Sequence, residues 1–368
     1  MTLPPAVRPW LYRLGAMALS ASVAFAILEI GTRLFVADST FRVLSDVFER
    51  HPDAEIGYTY RRTFVSSAFG AGLRTNSLGF RGSDWTRERP ANTVRIALIG
   101  DSHAFGFGVE FDQTWGELLR GRLAARLRRN VEVMNFGVNG YNSRQEAAVL
   151  TALALPLAPD LVVIQVSSND NDAALKVDAE GFLHTGVKGK PDDIDIWQDR
   201  HQQAYSWFQR RMLSTSRFLT WVRILRLRWQ MRQAATTMEA AVNAGLTSLK
   251  GDTTSGPIDE SLRASVYEPL TAMVRNARAK GAAVVLVTFA APAPWRQTLK
   301  ALAASENVRS LDLIAALNAD TWKGLLERWS LGWDAHMGPA AHAVWAARID
   351  ELLSAPELTA ALLHSGVR

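Results

Sequence analysis

Val94-Arg95-Ile96-Ala97-Leu98-Ile99-Gly100-Asp101-Ser102 is the stretch whose reading decides the fold. A mostly apolar run closed by glycine, an acid and a hydroxyl reads as a buried strand giving way to a tight turn. In open α/β sheets this exit from a strand's carboxyl end is where ligands bind. Outward from it the chain alternates. Further strands are expected at 131–136, 161–166, 283–289 and 308–313, with helices over 114–128, 144–155 and 261–280. Thr114-Trp115-Gly116-Glu117 fits a capping box at the start of the first helix. Nearly continuous apolar strands joined by helices imply a parallel sheet covered on both faces.

The 368 residues are 48% hydrophobic and 21% charged, which is globular and ample for a sizeable core. Basic residues exceed acidic ones by only five and are spread along the chain apart from one cluster at 205–233, and no helix-turn-helix or nucleic-acid-binding signature accompanies them, so nucleic acid is not an expected partner. With no cysteine in the chain, disulfides, thiolate catalysis, cysteine-ligated zinc and a lipidated cysteine are all excluded.

Residues 14–36 are apolar apart from Glu29 and Arg33, and long enough to cross a bilayer. Arg8 and Arg13 precede them, so the positive-inside rule puts the N-terminal tail in the cytoplasm and the rest of the chain outside. Glu29 and Arg33 are spaced to pair on one helix face. Ala24-Phe25-Ala26 has the pattern of a signal cleavage site, the rival reading, but the apolar run continues past it. A soluble buried helix is the third. The expected organisation is a tail and anchor over 1–36, a polar connector arm over 37–93, and one domain over 94–368. A break in the α/β pattern marks an insertion at about 172–256. Within it, 205–233 is helical and basic, with Trp207, Phe208, Phe218, Trp221 and Trp229 among seven arginines. Such a helix suits a membrane interface, a packed insertion with a solvated face, or the steering of an acidic glycan.

Serine needs a base to become a useful nucleophile. Among seven histidines His336 is the best candidate, because Asp334 stands two residues before it in a turn-rich loop and could fix its tautomer. His103 adjoins the serine and reads as a rim residue. His342 falls on the last helix, bonding locally. Donors for a developing oxyanion are expected at the same sheet edge: the backbone of Ser102, the glycine turn at Gly140, and the amide of Asn169. There is no Gly-x-Ser-x-Gly, Walker loop, dinucleotide fingerprint or His-Glu-x-x-His, so no metal or cofactor is expected.

Gly100-Asp101-Ser102, the Gly140 turn, Ser168-Asn169-Asp170 and Asp334-x-His336 resemble the four blocks of the SGNH/GDSL hydrolase superfamily. The resemblance implies a flavodoxin-like three-layer sandwich with a sheet of about five strands. It casts Ser102 as nucleophile, Asp334 and His336 as its acid–base pair, and Ser102, Gly140 and Asn169 as the oxyanion hole. Asn76-Ser77-x-Gly79-Phe80-Arg81-Gly82 is similar to a segment of a bacterial, membrane-anchored branch, which implies the inner membrane with the catalytic domain in the periplasm or outside the cell. The chain departs from the usual pattern at His103, at Ser167, in the Asp-x-His spacing, and at Gly338 and Ala341. The expected activity is hydrolysis of an acyl ester, an O-acetyl group on an extracytoplasmic carbohydrate. An O-acetyltransferase with the same triad, or a glycan-binding or assembly subunit retaining the fold, are the alternatives.

Overall fold

A computed structural model describes residues 8–36, 47–177, 183–184, 215–222, 225–226, 229, 259–289, 293–319, 321–331 and 336–363. Five parallel strands form the central sheet: β5 (Thr93–Ile99), β6 (Asn130–Asn135), β7 (Leu161–Ser167), β10 (Ala283–Phe289) and β11 (Arg309–Asp312). Their spatial order is β11-β10-β7-β5-β6. This is the flavodoxin-like arrangement, in which the strand order reverses beside the first strand of the sheet. Every residue of β5 and β7 is buried, as expected for strands covered on both faces.

Alternate residues of β5 feed two cores. Ala97 and Ile99 face a layer made by α4 (Ser143–Val149), α5 (Glu268–Ala279) and α6 (Ala293–Ser305). Ile96 and Leu98 face α3 (Trp115–Leu127), α8 (Pro339–Leu352) and α9 (Pro356–Leu363). The helix α2 (Ser102–Phe105) is a single turn at the end of β5, and α7 (Trp322–Trp329) precedes the C-terminal loop. Thr114 caps α3 by accepting from the Glu117 amide, while the Glu117 carboxylate pairs instead with Arg120.

The helices expected over 144–155 and 261–280 are both interrupted by a π-turn, at Leu150–Ala154 and Arg263–Tyr267. Apolar periodicity survives such an insertion, so the sequence pattern did not betray it.

The glycine-rich stretch of the arm reads as tight turns that tuck Leu78 and Phe80 against the domain, and both pack on the core. What its sequence does not announce is two hairpins: β1 (Phe48–Arg50) with β2 (Tyr58–Tyr60), and β3 (Val65–Ala68) with β4 (Ala71–Arg74). Phe48, Tyr58, Tyr60, Phe69 and Phe80 enter the same core as the central sheet. These strands are too short for an alternation to show against charged neighbours. A last small hairpin, β8 (Lys176–Val177) with β9 (Leu183–His184), lies at the start of the insertion.

The helix α1 (Arg8–Phe35) contains an apolar stretch, Tyr12–Phe35, long enough to cross a membrane, nearly all of it exposed, with Thr32 buried. Glu29 and Arg33 pair at 2.7 Å, as their spacing predicts.

Phe80 is fully buried, with Phe136 at 4.9 Å between ring centroids, so the arm shares its packing with the sheet. Phe80→Ala should therefore cost about 3–5 kcal/mol. Chemical denaturation should show this as a lower midpoint of the main transition, not as a separate early one.

Candidate active site

Ser102 opens the one-turn helix at the carboxyl end of β5, between β6 and β7 in the sheet. Asp101 caps that turn by accepting from the His103 amide at 2.9 Å, and Gly106 closes it in a left-handed conformation. Beneath the turn lies Gln165, a polar residue inside β7. Its Oε1 accepts from the Asp101 and Ala104 amides at 3.2 and 3.1 Å. A Cβ on residue 100 would stand 2.6 Å from that oxygen, which is why glycine precedes the acid. Asn135 ties the turn to the next loop, donating to the Ala104 carbonyl and accepting from the Gly137 amide.

The loop after β6 brings Gly140 to the same edge. Val138 N–H donates to the Gly100 carbonyl at 3.2 Å, and Gly140 itself has φ near +77°. A side chain there would be strained and would strike Leu175. Two tyrosines of the arm hold the adjoining peptide: Tyr58 donates to the Asn139 carbonyl at 2.8 Å, and the Asn139 amide donates to the Tyr60 hydroxyl at 3.2 Å. Tyr141 in turn donates to the Tyr58 carbonyl. Burial pushes all three phenols well above their usual range, so they stay protonated.

Arg81, in the glycine-rich segment of the arm, is buried, and its guanidinium donates to the carbonyls of Phe105, Gly106, Val109 and Gly72. Burial lowers it to about 10, still cationic at neutral pH. Asn76 folds the same segment by accepting from the Leu78 and Phe80 amides.

His336 meets the serine directly: its Nε2 lies 2.7 Å from Ser102 Oγ. Phe107 stacks on the imidazole, with centroids 4.2 Å apart. His103 packs between Phe289 and His336, at 4.2 and 5.1 Å. Burial, with the neighbouring imidazoles of His336 and His342, pushes its imidazole well below the usual range. A neutral ring there does not oppose charge appearing on His336. His342 lies on α8 but bonds far from home: its Nδ1 accepts from the Trp115 amide at 3.0 Å. Burial holds it near pKa 3, against a hydrogen bond with the Met337 backbone, so this neutral ring links α3 to the loop of His336.

Asn169 is half-buried in the turn after β7, its side chain beside the Asp101 carboxyl. Of the residues the sequence singles out, Ser102 and His336 are in contact, and Gly140 and Asn169 reach the same sheet edge. Asp334 lies outside the described residues. Sequence reasoning missed Gln165, Asn135, Tyr58, Tyr60, Arg81 and Phe107 as builders of this site. A glutamine inside the apolar run 161–167 was the available signal for the first. Among the described residues no group of three or more histidines and carboxylates could hold a metal ion.

Residues 98–344, about two thirds of the chain, match the family profile of the GDSL-like lipase/acylhydrolases. The chain belongs to that family. It is a serine ester hydrolase. Similar solved structures include a lipase/acylhydrolase from Enterococcus faecalis, at 15% identity and TM-score 0.38 over 71% of this chain and 95% of that one. Another is a catalytic mutant of an acetylxylan esterase from Geobacillus stearothermophilus, at 15% and 0.37 over 72% and 95%. A third is described as a lipolytic G-D-S-L protein from Desulfitobacterium hafniense, at 13% and 0.37 over 71% and 99%. A search of curated proteins found no match.

Behind the reactive edge this GDSL hydrolase buries three carboxyls: Asp101, Glu146 and Asp170. Burial raises each, and the proximity of the three raises Glu146 and Asp170 further. The Asp170 oxygens accept from the Ser167 amide and the Ser143 hydroxyl, whereas neither Glu146 oxygen meets a donor. The proton therefore resides on Glu146, since a buried carboxylate without donors is the costlier species.

Two outcomes follow from this geometry. Arg81→Lys keeps a cation but loses the planar fork that holds four carbonyls, so kcat should fall about 10–100-fold with KM little changed; steady-state kinetics beside a thermal melt separates this from unfolding. For Glu146, whose folded value is raised, stability is fully present below its usual 4.5 and lost as pH rises through the folded value. Denaturant midpoints at pH 5 and 8 should therefore fall for the native chain relative to Glu146→Gln, whose amide cannot ionise.

Proposed function

We propose that this GDSL hydrolase uses Ser102 as nucleophile, His336 as general base and acid, and Asp334 to orient the imidazole. The observation that carries the reading is the 2.7 Å contact between Ser102 Oγ and His336 Nε2 at the point where the strand order reverses. Ser102 Oγ attacks the ester carbonyl carbon as its proton passes to His336 Nε2. The negative charge gathers on the former carbonyl oxygen, for which the Ser102 and Gly140 amides and the Asn169 side chain are the proposed donors. Collapse breaks the acyl–oxygen bond, and the leaving alkoxide takes the proton back from His336. Water then attacks the acyl-serine, again surrendering a proton to His336, and releases the acid and free Ser102.

The proposed substrate is an acyl ester, O-acetyl in the simplest case, on a carbohydrate outside the cytoplasm. Supporting this are the length and apolarity of α1, the arginines ahead of it, and the resemblance of the Asn76–Gly82 segment to a membrane-anchored branch. On this reading residues 1–36 are the cytoplasmic tail and inner-membrane anchor. The arm over 37–93 and the hydrolase domain over 94–368 lie in the periplasm or beyond.

The test is hydrolysis of p-nitrophenyl acetate, then of an O-acetylated polysaccharide, by the full chain in detergent. Ser102→Ala and His336→Ala should each lower kcat by about 10⁴–10⁶-fold, and Asn169→Ala by about 10²–10³-fold. Turnover indifferent to Ser102 would overturn the assignment. Acetate released in proportion to ester lost marks hydrolysis; acetyl recovered on added sugar would mark transfer instead.

A further inference from the structure

The apolar helix α1 carries one carboxylate, Glu29, about two turns from its C-terminal end. A lone carboxylate among apolar residues at a membrane's edge needs partners. Glu29 has four donors, three of them from the insertion: the Ser216 hydroxyl at 2.8 Å, the Arg217 amide at 3.1 Å and the Phe218 amide at 3.0 Å. The fourth is Arg33 of its own helix, which also donates to the Thr215 carbonyl at 3.0 Å. Glu29 thus acts as the N-terminal cap of the helical segment that begins at residue 217, satisfying amides that its own first turn leaves open. Phe25 and Phe218 meet edge to face, 5.9 Å between centroids, beside this cap.

The clamp fixes where the segment starts, and helical spacing fixes what it shows. Residues 217–222, 225, 226 and 229 are helical. Phe218, Val222, Leu225 and Trp229 recur at the intervals that make one helix face. The first of these touches α1; the next three are 43%, 41% and 62% exposed. Arg226 borders the face and is exposed too. The exposed apolar surface of α1, including Ile27, Ile30 and Leu34, adjoins the point where the segment begins.

We infer that the segment beginning at residue 215 lies in the outer membrane–water interface. Its Val222-Leu225-Trp229 face enters the acyl boundary and its arginines meet anionic headgroups. Glu29 and Arg33 hold it to the anchor. The inference rests on the reading of α1 as a membrane anchor. A tryptophan at the headgroup level and arginines facing anionic lipid are what an interfacial helix needs. A partner from the cytoplasm is excluded by the same geometry, since the clamp is at the end of α1 remote from Arg8 and Arg13.

The absence of native cysteine makes site-directed spin labelling direct. The full chain carrying Trp229→Cys, Val222→Cys, Val23→Cys or Arg309→Cys would be reconstituted in phosphatidylcholine vesicles containing phosphatidylglycerol. Collision with oxygen and with a water-soluble nickel chelate reports depth. Labels at 229 and 222 should collide with nickel roughly tenfold less than the label at exposed residue 309, while remaining open to oxygen. Adding Glu29→Ala should return the 229 label towards the nickel accessibility of residue 309. A lipid-exposed label at 23 with a water-exposed label at 229 would overturn the interfacial helix and leave the anchor standing. Shielding of 229 from both oxygen and nickel would mean burial in protein, which also overturns it. A water-exposed label at 23 would remove the anchor reading, and this inference with it.

Discussion

The reactive edge depends on one polar side chain inside a buried strand. Gln165 reaches from β7 under the turn that follows β5, and its Oε1 accepts two amides of that turn. Its Nε2 donates to the Ser167 hydroxyl at 2.7 Å, so the same carboxamide also braces the turn that carries Asn169. Two strand ends with no sequence proximity are thereby held at one spacing. Gly100 is the geometric condition for this, because any side chain there would displace the carboxamide. An uncompensated carboxamide in that position would be costly, and here its oxygen accepts two hydrogen bonds and its nitrogen donates one.

Much of the sheet was legible in the sequence because its strands are buried on both faces and read as continuous apolar runs. The strands over 94–99 and 283–289 fall within a residue of β5 and β10, and the edge strand β11 is shorter than the expected 308–313. Ser102, the Gly140 turn and Asn169 stand at strand exits, where the sequence pattern puts them, whereas His336 stands in the loop between α7 and α8. Their supports were not legible, for a physical reason. Tyr58, Tyr60 and Arg81 lie in strands of three or four residues and in turns, where no period accumulates. Their partners are backbone groups 80 and 24 residues away or thereabouts, which no local pattern encodes. His342 shows the same limit: a local bond was expected, and its principal partner is Trp115.

The arm supplies hydrogen bonds that the sheet cannot. The carbonyl at 105, the last residue of the one-turn helix, and those at 106 and 109 in the loop after it are collected by a single buried guanidinium. The Asn139 peptide, next to Gly140, has both its N–H and its C=O fixed by phenols of β2. Rigid donors matter more than numerous ones where charge develops during a reaction, since they need not reorganise. In the same way, burial pushes the His103 and His342 imidazoles down, so neither neighbour adds a positive charge beside His336.

Covalent reach then links the site to the anchor. Twelve residues lie between Phe35, the last residue of α1, and Phe48, the first of β1. A chain of that length spans at most about 45 Å. The hairpin that begins at Phe48 contains the two tyrosines bonded to Asn139, so the Gly140 loop cannot stand farther from the end of α1 than this reach plus the hairpin's own length. Under the proposed topology the hydrolase is confined to a shell next to the membrane. An interfacial segment clamped at Glu29 would tighten the same confinement, because it fixes a second stretch of the chain, beginning at Thr215, to the bilayer surface.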